Sequence, residues 1–100
     1  MREIDTDQLA SALGSRATVV DVREPREYAD GHVPGAVNIP MGRLSDRLDE
    51  IDRSAPVYVV CATGNRSSAM TDFLTAAGFD AYNVVGGTTA WTRSGRLTHS

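Results

Sequence analysis

Apolar and polar positions fall into short blocks along this chain, and the blocks differ in period. Residues 18–22 (Thr-Val-Val-Asp-Val) form a β-branched run after Gly14 and Ser15. Residues 57–60 (Val-Tyr-Val-Val) form a second run, introduced by Pro56, where a missing N–H costs least. Continuous apolar runs of this kind, without alternation, predict strands buried on both faces, as in a parallel sheet. Residues 37–39 and 81–85 predict shorter strands, and residues 2–4 an edge strand. Helical spacing appears between them. Asp5 or Thr6 is placed to cap a helix that carries Leu9, Ala12 and Leu13 on one side. Leu44, Leu48 and Ile51 stand four and three residues apart, which predicts an amphipathic helix over 43–51. Ala69, Met70, Phe73, Leu74 and Ala77 predict another over 67–77, with Gly78 as its C-cap. A short last helix is expected from Thr88 to about Arg93, and the polar residues 95–100 read as a flexible tail.

Strands alternating with helices imply an α/β layer with right-handed crossovers. In open α/β sheets the site lies beyond the carboxyl ends of the strands. Two strand ends here carry reactive side chains: Asp21, Arg23 and Glu24 after the first main strand, and Cys61 after the second.

Composition narrows the chemistry. One hundred residues suit a single domain spanning 1–100, and neither an internal repeat nor a linker interrupts them. All ten basic residues are Arg, which excludes Schiff-base lysines and the lysine of nucleotide-binding loops. The net charge of −3 argues against nucleic acid as a partner, because phosphate neutralisation needs a basic face. A single Cys forbids an internal disulfide or a multi-Cys zinc site, and two His argue against a histidine metal centre, so no metal is expected. The apolar runs are too short to span a membrane. The first eight residues lack the apolar run of an export signal, so a free thiol points to a reducing cytoplasm.

The strongest local signal is the stretch Cys61, Ala62, Thr63, Gly64, Asn65, Arg66 and Ser67. A strand ends at Val60, the only Cys follows, and a helix opens near Arg66. A tight loop at such a junction can turn successive backbone N–H groups inward as an anion nest, with the helix N-terminus adding partial positive charge. Gly64 supplies freedom of φ, and Arg66 a permanent cation. Cys61 is either a small buried residue ending a core strand or a reactive thiol. Gly three residues on, Arg five on and a helix start favour a stabilised thiolate.

A second signal runs through Asp21, Arg23, Glu24, Glu27 and Tyr28, then Gly31-His32-Val33 and Gly35-Ala36 to Asn38-Ile39-Pro40. With these residues the chain resembles the single-domain rhodaneses of the rhodanese-like sulfurtransferase superfamily. The family's active loop maps onto Cys61, Gly64, Arg66 and Ser67, and its closing signature onto Gly86, Gly87, Ala90 and Trp91. The resemblance implies an α/β fold with a central, mostly parallel five-stranded sheet and helices on both faces. It implies that Cys61 takes sulfane sulfur from a small donor such as thiosulfate or a persulfide, holds it as a persulfide, and passes it to a thiol or cyanide acceptor, or to a protein acceptor. No cofactor is needed for that chemistry. Many relatives with thiosulfate activity carry Arg directly after the Cys, where this chain has Ala62. That departure points toward a protein or low-molecular-weight persulfide as donor.

Other residues keep two readings. Asp21 and Arg23 line the site or form a structural ion pair. Glu27 orients Arg66 or is a solvated helix charge. His32 is expected to fix its turn by hydrogen bonding, and Trp91 to pack beneath the site. Arg43, Arg47 and Arg53 read as a solvated face. Two other functions compete with sulfur transfer. The dual-specificity cell-cycle phosphatases share the fold that the resemblance implies but place five residues between Cys and Arg, whereas this loop has four, a smaller cradle suited to one sulfur atom. A non-enzymatic module that only carries persulfide or regulates is the other alternative.

Overall fold

The two continuous apolar runs lie side by side at the centre of a parallel sheet. A computed structural model describes residues 1–100. Its strands are β1 (Glu3–Ile4), β2 (Thr18–Asp21), β3 (Val37–Asn38), β4 (Val57–Val60) and β5 (Ala81–Val84), in the order β1-β5-β4-β2-β3. Every pairing is parallel, with Val20 opposite Val59 and Asp21 opposite Val60 in the central pair.

Because successive strand residues point to opposite faces, the sheet divides the core in two. Val20, Val57 and Val59 face one cluster with Leu44, Ile51, Leu74 and Phe79. Val19, Val60 and Val84 face the other, with Leu9, Val33 and Trp91. Helices α1 (Thr6–Ala12) and α4 (Gly87–Arg93) cover this second face through Leu9 and Trp91, and α3 (Asn65–Ala76) covers the first through Leu74. Asp5 starts α1 with reciprocal bonds: Gln8 N–H donates to Asp5 Oδ1 and Asp5 N–H to Gln8 Oε1, both at 2.8 Å. Gly78 ends α3 as its spacing predicts. At φ +94° its N–H reaches Thr75 O while Phe79 N–H reaches Leu74 O, which also packs Phe79 against Leu74.

Three expectations change. The helix over 43–51 is two 3-10 segments, Met41–Asp46 and Leu48–Glu50. Gly42 and the acidic residues 46 and 49 disfavour an α-helix, and Arg47, at φ −125°, breaks the segment in two. Leu44 and Ile51 are buried nonetheless. Helix α3 buries Ser67, Thr71 and Leu74, whereas Phe73 is 36% exposed. The apolar spacing misleads because hydroxyls occupy the inner face, and Thr71 satisfies its own by donating to Ser67 O at 2.7 Å. Finally, residues 95–100, expected as a flexible tail, run back along the molecule. His99 and His32 exchange backbone hydrogen bonds at 2.8 and 2.9 Å, and Trp91 Nε1 donates to Leu97 O at 2.8 Å. One further helix, α2 (Pro25–Ala29), lies where periodicity gives no signal; Pro25 at its first position and a bond from Glu24 N–H to Glu27 Oε1 start it. No helix is long and apolar enough to cross a membrane.

Candidate functional site

Strand β4 ends at Val60 and delivers Cys61, 1% exposed, to the carboxyl edge of the sheet. The chain must then reverse into α3 within a few residues. Gly64 makes that turn at φ +111°, a conformation that strains any residue bearing a Cβ. The turn aims donors at the sulfur. Gly64 N–H lies 3.1 Å from Cys61 Sγ, and the Ser67 hydroxyl oxygen 3.3 Å. Burial alone pushes the thiol up. Bonds from the Ser67 hydroxyl and from the N–H groups of Ser67, Gly64 and Thr63 outweigh it, and the thiol falls below its ordinary value. The backbone N–H groups of Thr63, Gly64 and Ser67 are thus directed at the sulfur.

Ser67 also touches a residue that the motifs do not single out. Its hydroxyl oxygen lies 2.6 Å from Oδ1 of Asn83, a buried side chain on β5. An amide inside an otherwise apolar strand is the signal that could have marked it. The hydroxyl has one proton and faces two acceptors, so Asn83 competes with the sulfur for it.

Arg66 does not point its charge at Cys61 alone. Its guanidinium makes a two-bond fork with Glu27, at 2.7 and 2.9 Å, across the gap between α3 and α2. The paired guanidinium holds the Glu27 carboxyl down at about 2, and Glu27 in turn raises Arg66. The orienting reading of Glu27 is thus the one the geometry gives. Asp21 and Arg23 form an ion pair at 2.8 Å with side chains 0% and 8% exposed. Arg23 also donates to Gly31 O at 2.9 Å and faces a cavity beside the loop, whereas Asp21 lies wholly beneath.

The loop's other wall is the start of α4. Thr88 N–H donates to Cys61 O at 2.9 Å and Thr89 N–H to Ala62 O at 3.0 Å. This contact demands a glycine. A Cβ on Gly87 would fall 2.4 Å from Cys61 O and 2.7 Å from Ala62 O. Gly87 thus lets helix and loop backbones meet, while a Cβ on Gly86 would fall 2.6 Å from the Ala90 Cβ within α4. Ala62 and Thr63 face separate cavities here, of about 380 and 460 Å³, both walled by α4. Asn65 stays exposed, at the first residue of α3. Thr88, Thr89 and Arg93 were not marked as site residues by the sequence, since two hydroxyls and one arginine on a short helix carry no motif.

His32 and Trp91 act on the frame. His32 Nδ1 lies 2.9 Å from Tyr28 O, and the His32 ring stacks on the Tyr28 ring at 3.6 Å. Trp91 is buried in the second core cluster. Arg47 pairs with Glu50 in solvent, while Arg53 lies over the Phe79 ring and caps α3 at Ala77 O.

The chain is similar to known proteins over nearly its whole length. The sequence model of the family described as Rhodanese-like domain matches residues 5–94. The thiosulfate sulfurtransferase GlpE of Pseudomonas entomophila (strain L48) is 34% identical over 91 residues, covering 90% of this chain and 84% of its own. The crystal structure of a rhodanese-related protein from Thermoplasma volcanium superposes with a TM-score of 0.94 at 33% identity, covering 99% of this chain and 98% of that one. A rhodanese-like domain protein from Staphylococcus aureus superposes with a TM-score of 0.86 at 41% identity, covering 91% of each chain.

Proposed function

Since the chain belongs to the rhodanese-like family, whose relatives support sulfur transfer in general terms, we propose that it is a sulfurtransferase working through a persulfide on Cys61. The carrying observation is a buried sulfur that receives Gly64 N–H at 3.1 Å and the Ser67 hydroxyl at 3.3 Å. Such donors favour the thiolate, which is the attacking form.

In the first half-reaction the Cys61 thiolate attacks the outer sulfur of thiosulfate. A Cys61–sulfur bond forms, the donor's S–S bond breaks, and its electron pair leaves with sulfite. In the second, cyanide or a thiolate attacks the terminal sulfur, and the Cys61 thiolate departs with its pair. A low-molecular-weight or protein persulfide is an equivalent donor. Both half-reactions pass negative charge along the sulfur, and in this reading the N–H groups of Thr63, Gly64 and Ser67 hold it throughout. Glu27 fixes Arg66 at the loop's flank, Asp21 and Arg23 support the wall behind it, and Ala62 borders the approach.

The four-residue spacing and the enclosure of Cys61 favour moving one sulfur atom over attack on a tetrahedral phosphate. Two core clusters sharing one sheet support reading 1–100 as one domain. The test is thiocyanate formation from cyanide and a panel of donors. The wild type should turn over, and Cys61→Ser, nearly isosteric, should fold and be inactive. Transfer of wild-type magnitude by Cys61→Ser, or aryl phosphate hydrolysis by the wild type with no sulfur transfer, would overturn the reading.

A further inference from the structure

Seven of the ten arginines are engaged: Arg2, Arg16, Arg23, Arg47, Arg66 and Arg96 pair with carboxylates, and Arg53 with a carbonyl and a ring. Arg26, Arg43 and Arg93 have neither an ion pair nor a side-chain hydrogen bond. Of these three only Arg93 lines a cavity, and it lines two of the three that border the Cys61 loop, one with Ala62 and one with Thr63.

The helix geometry explains the placement. Thr89 and Arg93 are four residues apart and so share a face of α4. That face borders the loop, because Thr89 and Arg93 line the same two cavities as Ala62 and Thr63. A guanidinium one turn further on has the reach to cover the mouth beside position 62, where the loop's own side chain is a methyl group. A second observation lies on the same wall. Thr88, which lines the first of these cavities, is 7% exposed, and its hydroxyl has no hydrogen-bond partner within the protein, unlike most buried polar groups. The other charges on this cavity are Arg23 and Glu27, each held by its own partner, and Asp30, which is free. Asp30 repels an anion from the side opposite α4.

We propose that Arg93 binds the anionic end of the sulfur donor, with the cavity of about 380 Å³ between α4 and the 23–31 segment as the donor's seat; this rests on the sulfur-transfer reading of Cys61. The ligand class is a small sulfane-sulfur donor bearing an oxyanion, either a sulfonate or a carboxylate. The oxyanion lies toward α4 and the transferable sulfur toward the loop. Arg93 sits in solvent, so its contribution weakens with salt.

The experiment is steady-state transfer to cyanide with three donors: thiosulfate, an alkyl persulfide ending in carboxylate, and one of equal length ending in hydroxyl. The quantity read is kcat/KM for each anionic donor divided by that for the uncharged one. Arg93→Ala should lower this ratio about tenfold, the scale of one charge-assisted hydrogen bond, chiefly through KM. Arg93→Lys should keep part of it, high salt should erase the difference, and Arg26→Ala should leave the ratio as in the wild type. A fall for thiosulfate alone assigns the seat to sulfonates, and a fall for the carboxylate alone to carboxylate-bearing thiols. An unchanged ratio for both in Arg93→Ala, with Cys61-dependent transfer intact, overturns this inference and leaves the sulfur-transfer reading standing. Absence of Cys61-dependent transfer with all three donors overturns both.

Discussion

Ser67 Oγ and Cys61 Sγ lie 3.3 Å apart inside the packed end of β4. While Cys61 is a thiol, its S–H can donate to Ser67 and the Ser67 proton can serve Asn83 Oδ1, 2.6 Å away. Once the thiolate forms, that proton is worth more on the sulfur. Ser67→Ala should therefore raise the pH midpoint of Cys61 alkylation by iodoacetamide. Asn83→Asp should raise it too, because a carboxylate competes harder for the proton and adds a like charge nearby. The wild-type midpoint should fall below the ordinary thiol value. A midpoint unmoved in Ser67→Ala would remove the hydroxyl from the account.

The Glu27–Arg66 fork gives a pH dependence with a definite sign. The folded carboxyl sits at about 2, down from 4.5, so folding binds fewer protons here. The pair's stabilisation is full above pH 4.5 and is lost as pH falls from there through about 2. Both side chains are about a third exposed, and solvent screening limits the term to roughly 1 kcal/mol. Glu27→Gln should be less stable than the wild type by that order at neutral pH. In urea titrations the gap should close on acidification below 4.5; a gap that widens contradicts the assignment.

How far the sequence led can be judged residue by residue. The strands at 18–21 and 57–60, Gly78 as a cap and the loop glycine at positive φ were all legible, because each follows from local chemistry in a short window. The 3-10 turns were not, because Leu44, Leu48 and Ile51 satisfy an α-helical spacing even when Arg47 breaks the path. Asn83, Thr88 and Arg93 escaped for a different reason. Their proximity to Cys61 or its loop comes from pairing β5 with β4 and from α4 folding back on the loop, which no window of sequence contains.

The buried Asp21–Arg23 pair is a stability element. Removing the carboxylate leaves a guanidinium without its charge partner in a site 8% exposed. Asp21→Ala should cost about 3–5 kcal/mol, read as a shift in the denaturant midpoint. A loss below 1 kcal/mol, roughly that of an exposed pair, would show that water reaches Arg23.

Gly87 joins stability to the site. At φ +56° with Cys61 O 2.4 Å from any added Cβ, Gly87→Ala must push α4 off the loop. The left-handed conformation alone costs about 1–2 kcal/mol, and the displaced contact adds to it. Sulfur transfer should fall further than stability does, since Thr88 and Thr89 lose their bonds to residues 61 and 62. Wild-type stability and turnover in Gly87→Ala would mean that the close approach is not needed.

The central claim is that Cys61 holds the sulfur in transit, and intact mass spectrometry reads it directly. Protein exposed to thiosulfate or to a low-molecular-weight persulfide, then freed of small molecules, should gain the mass of one sulfur atom and lose it on adding cyanide. Cys61→Ser should gain none. A wild-type protein that never takes up the sulfur, or a Cys61→Ser protein that does, would contradict the account.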